Sequence, residues 1–200
     1  LKSFQLSNGG FTYWPGEDYA SNWGSNYAGH FLIEARKAGY AVPESMISNW
    51  ISFQSERANN WGTNSTKEND DLIQAYRLYT LANAGYPVMG AMNRMKESAT
   101  VRREARWRLA SAYAVAGYQN QATNLIENIP TELDSTVRDY RYSFGSRLRD
   151  RAMIMEALID LDAHRARGHD LEQGLGALQQ VLPRLRVPDQ TRSGDIERPL

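Results

Sequence analysis

Apolar residues recur at helical spacing through most of the chain, and strict alternation is nearly absent. After an N-cap at Ser21, the spacing puts Trp23, Gly24, Tyr27, Phe31, Ala35 and Ala38 on one face, with Leu32 and Ile33 off it. That predicts a helix buried on more than one side. Pro43 opens a second helix running to about Asn59, with Met46, Ile47, Trp50, Ile51 and Phe53 on a broad apolar face. Further helices are expected over Glu68–Ala84 (Leu72, Ala75, Tyr76, Tyr79), Val88–Glu97, Val101–Ala116 and Gln119–Ile129 (Ala122, Leu125, Ile126, Ile129). Two more complete the set: Gly145–Asp162, with Leu148, Ala152, Met155, Leu158 and Ile159 as its stripe, and about Leu171–Leu185, carrying Leu175, Leu178, Val181 and Leu182.

The breaks between these stretches carry their own chemistry. Leu1 to Gln5 reads as the last turn of a helix, ended by Asn8-Gly9-Gly10, where glycine supplies positive φ without steric cost. Phe11, Tyr13, Trp14 and Trp23 then form a compact aromatic loop, stopped by Pro15-Gly16, that feeds the first helix. Ala-Gly-Tyr ends three helices, at Gly39, Gly85 and Gly117, so the recurring unit is a helix pair of variable length. Thr131–Phe144 reads as an extended loop, and the polar segment from Arg186 to Leu200 as a mobile or partner-dependent tail. About eight helices in antiparallel pairs with no convincing strand make an all-α protein. Both an open right-handed solenoid and an α/α toroid fit, and periodicity does not choose between them.

Composition narrows the function classes. Lys plus Arg and Asp plus Glu are 23 each in 200 residues, so the clustered basic excess of a nucleic-acid or membrane-surface site is missing. Apolar runs are too short to span a bilayer, and the absence of cysteine removes disulfides, thiolate metal sites and a Cys nucleophile together. Leu1 follows no initiator Met and no signal peptide, so the chain reads as a piece of a longer precursor.

Among candidate residues, His30 falls near the middle of the first apolar stripe and reads as a core histidine with one hydrogen bond. His164 and His169 lack carboxylate or thiolate partners at metal spacing and read as solvated loop residues; no metal or cofactor is expected. Glu17 and Asp18 beside Trp14 present a weak glycosidase-like acid pair. Phe11, Tyr13, Trp14, Trp23 and Tyr27 either stack a sugar or peptide or plug the end of a helical ring; the plug is favoured because Trp23 and Tyr27 follow their own helix's stripe. Arg102-Arg103 with Arg106 and Arg108, and Arg147, Arg149 and Arg151, are matched by Glu104, Asp139 and Asp150 and read as solvated faces.

Several separate segments carry a resemblance in one order. They are Gly-Gly-Phe at 9–11, Trp14-Pro15-Gly16, Trp23, Tyr27-Ala28-x-His30-Phe31-Leu32-x-Glu34-Ala35, Asp71–Ala82, Gly90–Asn93, Ala105–Tyr113 and Leu148–Ala152. Together they resemble the thioester domain of bacterial alpha-2-macroglobulin-like proteins over roughly residues 1 to 182. The resemblance implies an α/α toroid, of which this chain would be an incomplete ring. It divides the chain into a toroid fragment over 1–185 and a tail over 186–200, which departs from the family's pattern. The family's reactive centre joins a Cys and a Gln of a Cys-x-Glu-Gln motif; with no Cys here, that motif lies upstream of Leu1 in a parent protein or has been lost. The resemblance therefore implies a structural and contact domain of a protease trap, not an enzyme, in the periplasm or cell envelope. Its partners would be target proteases and the parent's other domains.

Two other likenesses are weaker. Asp70-Asp71 suggests the acidic motif of terpenoid cyclases, but the third acid needed for a magnesium-diphosphate site is replaced by Gln74, and a solvated first helical turn explains the pair. Glu104–Ile129 resembles one tetratricopeptide unit, which keeps a peptide-binding helical scaffold as the alternative.

Overall fold

The computed structural model describes residues 1–62, 71–131 and 145–166, with side chains through Ala163. The expectations for Asp70, the loop over 132–144, His164, His169, the helix at Leu171–Leu185 and the tail lie outside these residues.

The protein is all-α. Its described helices are α1 (Asn22–Lys37), α2 (Glu44–Asn59), α3 (Asp71–Asn83), α4 (Met89–Glu97), α5 (Arg103–Val115), α6 (Gln119–Ile126) and α7 (Arg147–Ala166), after a 3-10 turn at Lys2–Phe4. Among the described residues the only β pairing is an isolated bridge between Gln5 and Phe11. Each expected helix within the described residues forms. The Ser21 hydroxyl caps α1 by accepting from Gly24 N at 3.0 Å. All three Ala-Gly-Tyr stops close as Schellman motifs: the glycines take φ of 86°, 88° and 87°. Tyr40 N donates to Ala35 O at 3.0 Å, Tyr86 N to Leu81 O at 2.9 Å and Tyr118 N to Tyr113 O at 2.8 Å.

The helices form two rows. α1, α3, α5 and α7 pack side by side in chain order, and α2, α4 and α6 each lie against the two odd-numbered helices that they connect. The odd helices run parallel: Lys37 Nζ at the end of α1 donates to Asn83 Oδ1 at the end of α3 at 2.5 Å, and Asp71 at the start of α3 pairs with Arg102 at the N-cap of α5. The three tyrosine stops therefore share one end of the array. This order is common to solenoids and rings.

Flanked on both sides, α3 and α5 are almost wholly buried. The outermost odd helices are not, which corrects two expectations. Tyr27 and Phe31 of α1 are 66% and 59% exposed, so the face they share is open, while Trp23, Ser25, Asn26, Ala28, Gly29, Leu32 and Ile33 are buried against α2 and α3. On α7 the packed stripe is Asp150, Met153, Ile154, Ala157 and Leu161, while Leu148 and Ile159 face out. Both helices stand at the ends of the described row, and the faces that carry Tyr27, Phe31, Leu148 and Ile159 are left uncovered by their described neighbours.

Amides fasten the first three helices. Asn26 Nδ2 donates to Ile73 O at 2.9 Å, Gln54 Nε2 to Asn26 Oδ1 at 2.8 Å, and Gln74 Nε2 to Ala58 O at 3.1 Å. Arg77, fully buried, donates to Gln54, Gln74 and Asn22 at 2.9, 2.5 and 3.0 Å. Burial, with Arg57 adding repulsion, brings its pKa down to about 9.

Candidate functional site

The aromatic loop and the start of α1 enclose a pocket of about 670 Å³, within the usual size range of small-ligand sites. Phe4, Phe11, Tyr13, Trp23, Tyr27 and Phe31 supply its rings, and Arg149 from α7 its cation. Local hydrogen bonds shape it. Phe11 N donates to Ser25 Oγ at 2.8 Å, and Ser21 N to Phe11 O at 2.9 Å, which folds the loop back onto α1. Gly24 admits Tyr13, since a Cβ there would lie 3.3 Å from its ring. Arg149 sits 4.7 Å from the Trp23 ring centre and donates to Asp150 through Nε at 3.0 Å and Nη2 at 2.6 Å. Its charge is thus matched inside the wall.

Of the expected aromatics, Phe11, Tyr13, Trp23 and Tyr27 line this pocket. Phe11 and Trp23 are buried; Trp14, 71% exposed, stands outside it.

A second cluster lies where all four odd helices converge. His30 Nδ1 of α1 is 2.9 Å from the Tyr76 hydroxyl of α3. Arg108 of α5 lies 4.4 Å from the Tyr79 ring centre and 5.6 Å from that of Tyr76, and its Nη2 donates to Glu156 Oε2 of α7 at 2.6 Å. The Tyr79 hydroxyl donates to Glu156 Oε1 at 3.2 Å, and Ser111 to Asp160. Burial lowers the His30 pKa, against the pull of Glu156. Burial alone would raise that of Glu156, but Arg108 outweighs it and the net shift is down; burial raises those of Asp160, Tyr76 and Tyr79. The cluster links Trp23 too, whose ring centre is 5.1 Å from that of Tyr76.

The arginine expectation is corrected here. Arg108 is 1% exposed, with Nε and Nη1 buried and without hydrogen-bond partners, and Arg149 is folded onto Trp23. Tyr76 and Tyr79 of the neighbouring α3 close over Arg108, and Trp23 of α1 over Arg149, at positions that helical periodicity alone leaves outside. Asp71 is not simply solvated either: it accepts from Leu72 N at 2.8 Å and pairs with Arg102. Glu17 accepts from Trp14 N at 3.3 Å and the Tyr19 hydroxyl at 3.1 Å, stapling the loop, and neither it nor Asp18 lines the pocket. Among the described residues no group of three His, Cys, Asp or Glu is placed to hold a metal ion, and no helix is long and apolar enough to cross a membrane. The convergent cluster had no local signal, because its partners come from helices far apart in the chain.

The two-row array has the fold of a helical part of bacterial alpha-2-macroglobulins. A mutant of Salmonella alpha-2-macroglobulin matches with a TM-score of 0.71 and 22% identity over 92% of this chain. Trypsin-activated alpha-2-macroglobulin from Escherichia coli matches at 0.67 and 23% over 90%, and methylamine-reacted Salmonella alpha-2-macroglobulin at 0.69 and 23% over 92%. The chain spans only 12%, 13% and 12% of those proteins. No protein-family model matches the chain, and no curated protein does.

Proposed function

We propose that this chain is the main part of a thioester-type α/α-toroid domain in a bacterial alpha-2-macroglobulin-like protein, where it serves as structural and contact domain of a protease trap. The observation that carries this reading is the likeness of fold over 92% of the chain to proteins of that kind. Among them are ones activated by trypsin or reacted with methylamine. The segments that resemble the thioester domain, from Gly-Gly-Phe to Leu148–Ala152, supply the finer placement. Without cysteine the chain forms no thioester itself, so the reactive pair belongs upstream in the parent or is lost. In this role Phe11 and Trp23 plug the end of the array, Tyr13 and Tyr27 cover them, and Trp14 offers a contact to a neighbouring domain. The trap works in the periplasm or cell envelope.

The test uses the full-length parent protein, incubated with methylamine or with trypsin and followed by intact and peptide mass spectrometry. Methylamine on a Gln of Cys-x-Glu-Gln, together with trypsin retained in a covalent complex, establishes covalent capture. Retained trypsin without a thioester leaves a non-covalent trap. The absence of both retention and uptake overturns the trap reading and favours a peptide-binding helical scaffold.

A further inference from the structure

Asn8-Gly9 is the single Asn-Gly step in the chain, and the turn that holds it is pinned from several sides. Gly9 N donates to Leu6 O at 2.9 Å, and Gly10 N to the Asn8 side-chain oxygen at 3.0 Å. Leu6 N donates to Gly10 O at 2.9 Å. Gln5 Nε2 donates to Gly9 O at 3.1 Å and to Met46 O of α2 at 2.8 Å, so its amide clamps the turn to that helix. Asn8 is exposed, whereas Gly9 and Gly10 are buried. The fit is close: Gly9 takes a φ of 92°, and a Cβ on it would lie 2.1 Å from Asn49 O.

An Asn-Gly step carries a reaction of its own, because glycine has no side chain to hinder approach to its nitrogen. Deprotonated Gly9 N attacks the Asn8 side-chain carbonyl carbon, the side-chain nitrogen leaves as ammonia with a proton from water, and a five-membered succinimide forms. Water then opens the ring. Attack at the former side-chain carbonyl gives an ordinary aspartate. Attack at the main-chain carbonyl gives isoaspartate, which routes the backbone through the side-chain carbons and lengthens it by one methylene. The folded turn opposes the first step, since the Gly9 N–H is buried and already donated and the Asn8 carboxamide is turned to Gly10.

We propose that Asn8 is a modification site that records opening of the N-terminal turn. Closed, the turn preserves the asparagine; each opening releases Gly9 N and lets the succinimide form. The two products then part. An aspartate keeps the oxygen to which Gly10 N donates and fits the closed turn. Isoaspartate adds a methylene where the Gly9 backbone lies against that of Asn49, so the turn no longer closes. Phe4 and Phe11, on either side of the turn, line the aromatic pocket, and the lesion therefore loosens that wall. None of this requires a thioester, and it stands apart from the trap reading.

The folded chain, the chain in urea and a free peptide of residues 5–12 are aged side by side in mildly basic buffer. Peptide mass spectrometry follows loss of Asn8, with isoaspartate resolved from aspartate. The folded chain is expected to react at least about tenfold more slowly than the peptide, by the factor of the local opening equilibrium, and urea removes the difference. Gln5→Ala, which takes away the clamp, speeds the reaction in the folded chain, while Arg108→Met, remote from the turn, does not. Circular dichroism confirms that both variants are folded. Asn8→Asp melts with the unmodified chain, and the isoaspartate form, separated after ageing in urea and refolded, melts lower. A folded chain that reacts at the peptide rate, a rate unmoved by Gln5→Ala, or equal melting of the isoaspartate and aspartate forms overturns the proposal.

Discussion

Arg108 and Glu156, from α5 and α7, form an ion pair of 2.6 Å in which the cation is buried and the carboxylate is 40% exposed. Removing the carboxylate leaves a buried charge without its counter-charge, whereas removing the cation leaves a carboxylate that water can reach. Glu156→Gln is therefore expected to destabilise the protein by about 1–3 kcal/mol, less than a fully buried pair would lose. Arg108→Met, which keeps volume and apolar contact with Tyr79, is expected to cost less. Urea unfolding of both variants tests the order.

Acid should weaken the fold in two stages. The His30 pKa is lowered in the folded protein, so the unfolded chain takes up the proton first, and stability falls as pH drops below about 6.5. The Glu156 pKa is also lowered, so its contribution is present above its unfolded value of about 4.3 and is lost as pH falls further. His30→Gln should flatten the upper part of the stability–pH curve and Glu156→Gln the lower part. Denaturant midpoints measured at intervals from pH 7.5 down to about 2.5 resolve the two.

Gly29 is a point of close approach. A Cβ there would fall 2.0 Å from the Trp50 indole, which is itself fixed by donating to Ser25 O at 2.7 Å. Gly29→Ala is expected to destabilise by at least about 2 kcal/mol through overpacking. Gly90, in the first turn of α4, would meet only the end of Arg94 at 3.9 Å, so Gly90→Ala should be neutral or gain up to about 1 kcal/mol. Thermal melts of the two variants should move in opposite directions or by very different amounts.

The aromatics around the pocket should separate by burial. Trp23→Ala removes a ring packed on Tyr76 and carrying Arg149 and is expected to cost about 3–5 kcal/mol. Tyr27→Ser and Phe31→Ser, at exposed positions, should change stability by less than about 0.5 kcal/mol. Calorimetry of the three single variants would expose a hidden structural role for Tyr27 or Phe31 as a large loss.

The sequence disclosed what depends on near neighbours. Ser21 as a cap, the three Ala-Gly-Tyr stops and the Asn8-Gly9-Gly10 turn all act within a few residues, and each appears where its chemistry placed it. What escaped depends on which flank of a helix the next row member covers. Tyr27, Phe31, Leu148 and Ile159 have the spacing of core residues yet face out, while Arg108 has the look of a surface charge yet lies under two tyrosines. The aromatic loop was legible as a cluster, though the loss of Trp14 from it and the arrival of Arg149 were not. Tyr76 and Glu156 as neighbours of His30 had no sequence signal, because contact across a row is set by packing and not by period.

The three Schellman stops at one end of the array give it a particular tolerance. Each of the helices α1, α3 and α5 is terminated by its own glycine and its own backbone bonds, independent of the length of the connection beyond it, and each helix packs chiefly on its nearest neighbours. The short loop between each stop and the even helix that follows it is therefore the place where length can change with least effect on the registers, since the even helix itself is fastened to both odd helices, as Gln54 of α2 is to Asn26 and Arg77. Each stop thus acts as a punctuation mark: it confines a change in the loop behind it to that loop, while the converging face of Tyr76, Arg108 and Glu156 keeps its alignment.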